Sequence, residues 1–170
     1  MAPEIVIRAA TSADAPDIAR VHVASWQATY TGLLPQAYID ARTYERRLQF
    51  WQRHLGGQHR GLIYVATVND MVIGFAAAGP ARDPSLRCAG ELYALYLLAR
   101  WQRQGIGRRL FDMVRTALQK RGYPTMMLWV LAENPACHFY AHLGGRPLAR
   151  RPETLGAKVF EEIAYGWDVA

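Results

Sequence analysis

The 170-residue chain is short of several things, and each shortage removes a class of protein. It has only two lysines, Lys120 and Lys158. A nucleic-acid surface more often interleaves lysine with exposed aromatics, so the formal net charge of +6 is read by where it sits, and no nucleic-acid partner is expected. Its two cysteines, Cys88 and Cys137, are too far apart to form a metal-type pair or a disulfide framework. Two reduced, partly buried thiols in a cytosolic protein account for them. The longest apolar runs are broken by Gly, Pro or charge, far below the roughly 20 residues that cross a bilayer, so no membrane partner is expected. Met1-Ala2-Pro3-Glu4 lacks the basic start and apolar stretch of a secretory signal, which again implies a cytoplasmic location. Repeats, low-complexity tracts and linkers are absent, and the length suits one domain over residues 1–170.

What is present is an ordinary globular balance, 51% hydrophobic and 20% charged. Residues 4–9 read as a strand. Thr11 and Ser12 offer caps, and Ile18, Val21, His22, Ser25, Trp26 and Thr29 then follow helical spacing. A second helix is expected within 36–54, closed by Gly56-Gly57. Leu62 to Val68, the turn Asn69-Asp70, and Met71 to Ala78 form a hairpin. Glu91 to Leu98 is a strand, Gly105 to Arg121 an amphipathic helix, Thr125 to Val130 a buried strand, and Pro135 to Leu143 a short helix. Strands near 146–150 and 158–168 finish an α/β (α+β) domain around a mixed sheet.

Leu95-Tyr96-Leu97 leads through Ala99-Arg100-Trp101-Gln102-Arg103-Gln104 into Gly105-Ile106-Gly107-Arg108. A strand enters a glycine turn that opens a helix. Glycine admits a phosphate close to the backbone, and the first helical turn offers amides without internal partners. Arg100, Arg103, Arg108 and Arg109 lie in a stretch without acids, which suits a phosphate-bearing small ligand. The turn is neither a P-loop, lacking Gly-Lys-Ser/Thr, nor a dinucleotide fingerprint, whose spacing differs.

Gln102-Arg103-Gln104-Gly105-Ile106-Gly107 resembles the Gln/Arg-x-x-Gly-x-Gly/Ala signature of the GNAT acetyltransferases. Asn134-Pro135-Ala136-Cys137-His138-Phe139-Tyr140, followed by Leu143-Gly144-Gly145, is similar to a second segment of that family. The resemblance implies a mostly antiparallel mixed sheet of about seven strands, about four flanking helices, and two splayed central strands. It implies acetyl-CoA as co-substrate, no metal, and a small-molecule or peptide amine as acceptor, and it leaves room for a homodimer. Backbone groups of Leu95, Tyr96 and Leu97 would hold the pantetheine arm. Amides of Arg103, Gln104, Gly105, Ile106, Gly107 and Arg108 would hold the pyrophosphate. Asn134 matches a position that bonds the arm, and is as good an N-cap before Pro135.

Acetyl transfer needs a neutral amine, a polarised carbonyl and a protonated or stabilised thiolate. Tyr140 matches the family acid near the sulfur, although Ala136, Phe139, Tyr140 and Leu143 also follow helical core spacing. Glu91 matches a glutamate that acts as base through water in some members. Alternation puts it on one face with Tyr93, Leu95 and Leu97 unless a bulge intervenes, and pairing with Arg87 or another surface Arg explains it equally. Trp129 stands where other members place a Glu, and Gly145 where many have Phe, a change expected to loosen packing. Trp26, Tyr30 and Tyr38 either line the acceptor pocket or form an aromatic packing face. His138 and His142 have helical metal spacing but no third ligand. A non-catalytic acyl-CoA-binding module is the alternative function.

Overall fold

The computed structural model describes residues 3–57 and 61–170. Seven strands form one sheet in the order β1-β2-β3-β4-β5-β7-β6. They are β1 (Ile5–Ala9), β2 (Leu62–Val68), β3 (Met71–Pro80), β4 (Gly90–Leu97), β5 (Thr125–Leu131), β6 (Arg146–Leu155) and β7 (Lys158–Asp168). All neighbours are antiparallel except β4 and β5, whose parallel pairing needs a crossover. The helices are α1 (Ala15–Tyr30), α2 (Gln36–Asp40), α3 (Tyr44–Gly56), α4 (Ile106–Lys120) and α5 (Ala136–His142). The single helix expected within 36–54 is thus two. The chain breaks after Asp40 and restarts at Thr43, whose Oγ1 accepts the Arg46 N–H at 3.4 Å. The last hairpin is also longer than the sequence suggests, with β6 continuing to Leu155.

The helices cover the sheet on both faces. Ile18, Val21 and Trp51 of α1 and α3 pack on Val65, Val72, Phe75 and Ala77. Leu110, Phe111, Val114 and Leu118 of α4 pack on the other side, against Ala66, Ala76, Ala78 and Leu128. Strand β3 lies between the two layers and is buried from Val72 to Gly79, hence its near-continuous apolar run.

Two irregularities in β4 shape everything that follows. Ala77 pairs with Ala94, but Ala78 pairs with Leu92, so Tyr93 is an extra residue in the ladder. Its ring lies over Gly79, where an added Cβ would come within 2.7 Å of the Tyr93 hydroxyl. The bulge changes the phase of the strand. Leu92, Leu95 and Leu97 all reach the α4 layer, whereas Ala94 and Tyr96 belong to the α1 layer. Gly90 faces Leu118 of α4, so Glu91 points the other way. The shared face suggested for Glu91, Leu95 and Leu97 is therefore corrected: the bulge intervenes. The second irregularity is that β4 and β5 pair only at Gly90 with Met126 and Glu91 with Met127, after which they separate.

The entry to α1 is held by Asp14, which is buried and accepts from Arg8 through both oxygens at 2.8 Å and from the Thr11 N–H at 2.7 Å. The Arg8 hydrogen bond is the main reason that the Asp14 carboxyl sits below its ordinary value of 3.8, with Thr11 assisting and burial opposing. A depressed carboxyl stabilises the fold above its unfolded value and loses that contribution as pH falls through the folded one. Arg8 is partly exposed, which weakens the pair. Asp14→Asn is expected to lower the unfolding free energy by about 1–2 kcal/mol at neutral pH. In denaturant titrations the gap between variant and parent should close as pH drops below 3.8. A gap independent of pH would rule out the ion pair as its source.

Candidate active site

Where β4 and β5 part, a cavity of about 1140 Å³ opens. One end is the glycine turn at the head of α4, and the other is an aromatic cluster beneath α1. The turn is shaped by Arg103 at φ 59° and Gly105 at φ 79°, both in the left-handed region. Gln102 Nε2 donates to the Leu97 carbonyl at 3.1 Å, tying the loop to the strand end, and Gln104 Nε2 donates to the Arg100 carbonyl at 3.1 Å. Arg109 is the first residue of α4 whose N–H closes a helical bond, onto Gly105 O at 3.1 Å. The amides of Ile106, Gly107 and Arg108 precede it and have no backbone acceptor among the described residues. Gly105, Gly107, Arg103 and Arg108 line the cavity mouth. The Ile106 side chain is buried in the core, so that residue can contribute only its backbone, whereas the Gln104 side chain is exposed. Arg109 turns away and donates to the Ile5 carbonyl at 3.0 Å.

The second glycine has a different role from the first. A Cβ at Gly107 would meet Phe139 at 3.4 Å and Leu95 at 4.0 Å, which is ordinary contact, so the position has room for a methyl group and needs no special φ. Gly145 is tighter. A Cβ there would lie 2.7 Å from the Trp167 ring and 2.8 Å from the Tyr140 carbonyl. The loosened packing expected at Gly145 is therefore corrected, because Trp167 fills the space.

At the inner end three tyrosines meet. Tyr30 is buried, and its hydroxyl oxygen accepts from Asn134 Nδ2 at 3.2 Å. Asn134 Oδ1 accepts the Ala136 N–H at 2.9 Å, so this buried side chain caps α5 and braces Tyr30 at once. Tyr96, a candidate for its backbone, thus also points a side chain toward the α1 layer. There it stacks on His22 with centroids 5.0 Å apart. His22 is kept neutral: burial, helped by Arg47 and Arg42, lowers its pKa to about 3, and Trp51 Nε1 donates to its Nδ1 at 3.1 Å. Tyr140 is buried on the cavity wall against Phe139 and Trp167. Burial, reinforced by nearby Tyr30, drives its pKa well above 10.0, so its phenol carries a proton throughout the physiological range.

Glu91 is placed elsewhere. Its carboxylate is buried and bound by Arg82, through Nη2 to Oε1 at 2.7 Å and through Nε and the backbone N–H to Oε2 at 3.2 and 2.8 Å. It belongs to the closed end of the splay and does not line the cavity. Trp129 does line it, beneath the Arg151 guanidinium, 3.9 Å above the ring centre. Trp26 and Tyr30 line the α1 wall in mutual ring contact at 4.3 Å. Arg42, not singled out in the sequence, is stacked over Trp26 at 4.2 Å and over Tyr38 at 4.1 Å. No periodicity or motif marks it, because its place comes from the α2–α3 break. Among the described residues no three metal-binding side chains come together.

The comparisons agree with this geometry. The model of the acetyltransferase (GNAT) family matches residues 24–144. The chain is 32% identical over 163 residues to YuaI, an uncharacterised N-acetyltransferase of Bacillus subtilis (strain 168), covering 96% of this chain and 92% of that one. Its fold is similar to PaiA N-acetyltransferase from Thermoplasma acidophilum in complex with coenzyme A, with a TM-score of 0.72 at 22% identity, covering 97% and 99% of the two chains. It is likewise similar to YncA from Salmonella typhimurium with its cofactor acetyl-CoA, with a TM-score of 0.73 at 19% identity over 98% and 95%. With the glycine turn, the parted strands and a family match over most of its length, the chain belongs to the GNAT acetyltransferase family.

Proposed function

We propose that the protein moves an acetyl group from acetyl-CoA to a primary amine by direct attack within a ternary complex. The observation that carries this reading is the splay of β4 from β5, which leaves an unpaired strand edge beside a set of free helix-start amides. An extended pantetheine arm can use such an edge as an added strand would, with Leu95, Tyr96 and Leu97 supplying backbone groups. The amides from Arg103 to Arg108, with the helix dipole behind them, suit the pyrophosphate. Bound acetyl-CoA supplies the activated acyl carbon. The amine nitrogen bonds to that carbon, the carbon–sulfur bond breaks, and the products are an amide and a thiol.

Two protons must move. The leaving sulfur needs one, and Tyr140 is the proposed donor, since its burial keeps the phenol protonated. The amine must shed one. Glu91 is the proposed acceptor, reached through water. Arg82 engages both of its oxygens, so a bridging water would have to share them. Direct release to water needs no dedicated base, since positioning alone lowers the barrier by several kcal/mol.

Thiol release across an amine panel tests the activity, and three substitutions test its parts. Tyr140→Phe is expected to lower kcat by about a hundred-fold or more while the Kd for CoA changes by less than about two-fold. An unaltered kcat would remove Tyr140 from the chemistry. Glu91→Gln separates the two proton routes. A base reached through water predicts a kcat loss that deepens toward low pH. Direct release predicts an unchanged pH profile with a lowered melting temperature, from the lost Arg82 pair. For the turn, Gly105→Ala forces a Cβ into φ 79° and is expected to weaken CoA binding by about five-fold, about 1 kcal/mol. Gly107→Ala should bind CoA nearly as the parent does, and equal calorimetric affinities for both variants would contradict the assigned roles.

A further inference from the structure

Two buried donors without a partner among the described residues lie on the α1 wall of the cavity, and a third lies on α3 behind it. Ser25 Oγ is buried and has no hydrogen-bond partner among the described residues, and the same holds for Trp26 Nε1 and Arg47 Nε. Ser25 and Trp26 line the cavity, as does Arg42. Arg42 satisfies part of its guanidinium on Tyr38, donating to the hydroxyl at 2.6 Å and the carbonyl at 3.3 Å, and it stacks on two rings. Neither Arg42 nor Arg47 is paired with a carboxylate among the described residues. The two are near enough that the Arg42 charge, after burial, is a cause of the lowered Arg47 pKa. Two half-buried guanidiniums without a counter-ion disfavour each other, and an anion bound at Arg42, the one of the two that lines the cavity, would relieve that repulsion.

Across the cavity the sign reverses. Glu153 and Glu162 line the β6–β7 wall, with Glu162 held by Arg151 at 2.9 Å. The tyrosine cluster lies between. Trp26 is in ring contact with Tyr30, and Arg42 sits on the other contact of Trp26, so one aromatic ring separates the guanidinium from the hydroxyl network at the reaction end. A small molecule with an amine at one end and an anion a few bonds away would present opposite charges to these two walls.

We infer that Arg42, backed by Arg47, forms with Ser25 and the Trp26 indole an anion subsite that selects acceptors of the amino-acid type, an amine carrying a nearby carboxylate. This rests on the proposed transferase reading and adds the acceptor class to it. Peptide N-termini and lysine side chains of proteins lack a carboxylate at that distance and would leave the subsite empty.

The test uses free amino acids and their carboxamides, which keep the amine and lose the charge. Binding is measured by calorimetry on the CoA-loaded protein, where no transfer is possible, and turnover by thiol release with acetyl-CoA. Acids are expected to exceed their carboxamides by at least about ten-fold in both measurements. Arg47→Gln and Arg42→Gln should each shrink that ratio to about two-fold or less, and Arg47→Lys should restore part of it. An unchanged Kd for CoA shows that each variant is folded. Acids and carboxamides that bind and react alike, or bind nowhere, overturn the subsite, as does a ratio that survives both glutamine variants. Preferred binding of acids with no thiol released would uphold the subsite and defeat the transferase reading instead.

Discussion

The separation of β4 from β5 is the constraint on which the rest of the structure depends. Backbone groups inside a fold must be satisfied, and a sheet ordinarily does so by pairing every strand on both sides. Here pairing stops after two residue pairs, although both strands continue, and the sheet is kept whole only by α4 below and by β7 beyond. The gap is therefore not a surface dimple but an interruption of the ladder through the middle of the core. Whatever fills it has to offer what a strand would offer. That requirement favours an extended, amide-bearing chain over a compact ligand, and the glycine turn with its unpaired amides follows at the end of the same strand.

Strand β4 also divides the chemistry between two faces, and a single extra residue decides the division. Without the bulge at Tyr93, Glu91 would share a face with Leu95 and Leu97. With it, the residues before and after are out of phase, so the α4 face keeps an unbroken apolar set while Tyr96 turns to the α1 side. There Tyr96 stacks on His22, and from the β5 side Asn134 donates to the Tyr30 hydroxyl.

These details mark the boundary of what was legible in the residues. Strand order up to β5, the amphipathic α4 and the glycine turn could be read because each rests on local periodicity or on a positive φ that glycine supplies. The bulge could not, since Ala77-Ala78 and Glu91-Leu92-Tyr93-Ala94 contain no glycine or proline to announce it, and its cause is the Tyr93 ring seated on Gly79 of another strand. Gly145 misled for a related reason. Its absent side chain is replaced by Trp167, which lies 22 residues onward and meets it only in three dimensions. The arginines of the α2–α3 region lay within an expected helix, where guanidinium groups usually belong to the solvated face, and only the break after Asp40 brings Arg42 over Trp26.

The net charge of +6 gains a physical meaning once the arginines are sorted by partner. Arg8, Arg82, Arg146, Arg150 and Arg151 are bound to carboxylates, and Arg109 and Arg115 to main-chain carbonyls. These hold β1, the β3–β4 end and the terminal hairpin in place, and little of their charge is left to attract a ligand. The cations without an acid partner among the described residues include Arg103 at the mouth of the cavity and Arg42 at its far end. The cleft thus has positive charge at two ends, an uncharged tyrosine and asparagine centre, and Glu153 and Glu162 on its β6–β7 wall. On the proposed reading, a phosphate-rich tail would be drawn to one end and an acidic acceptor to the other, and the acidic wall would face the amine.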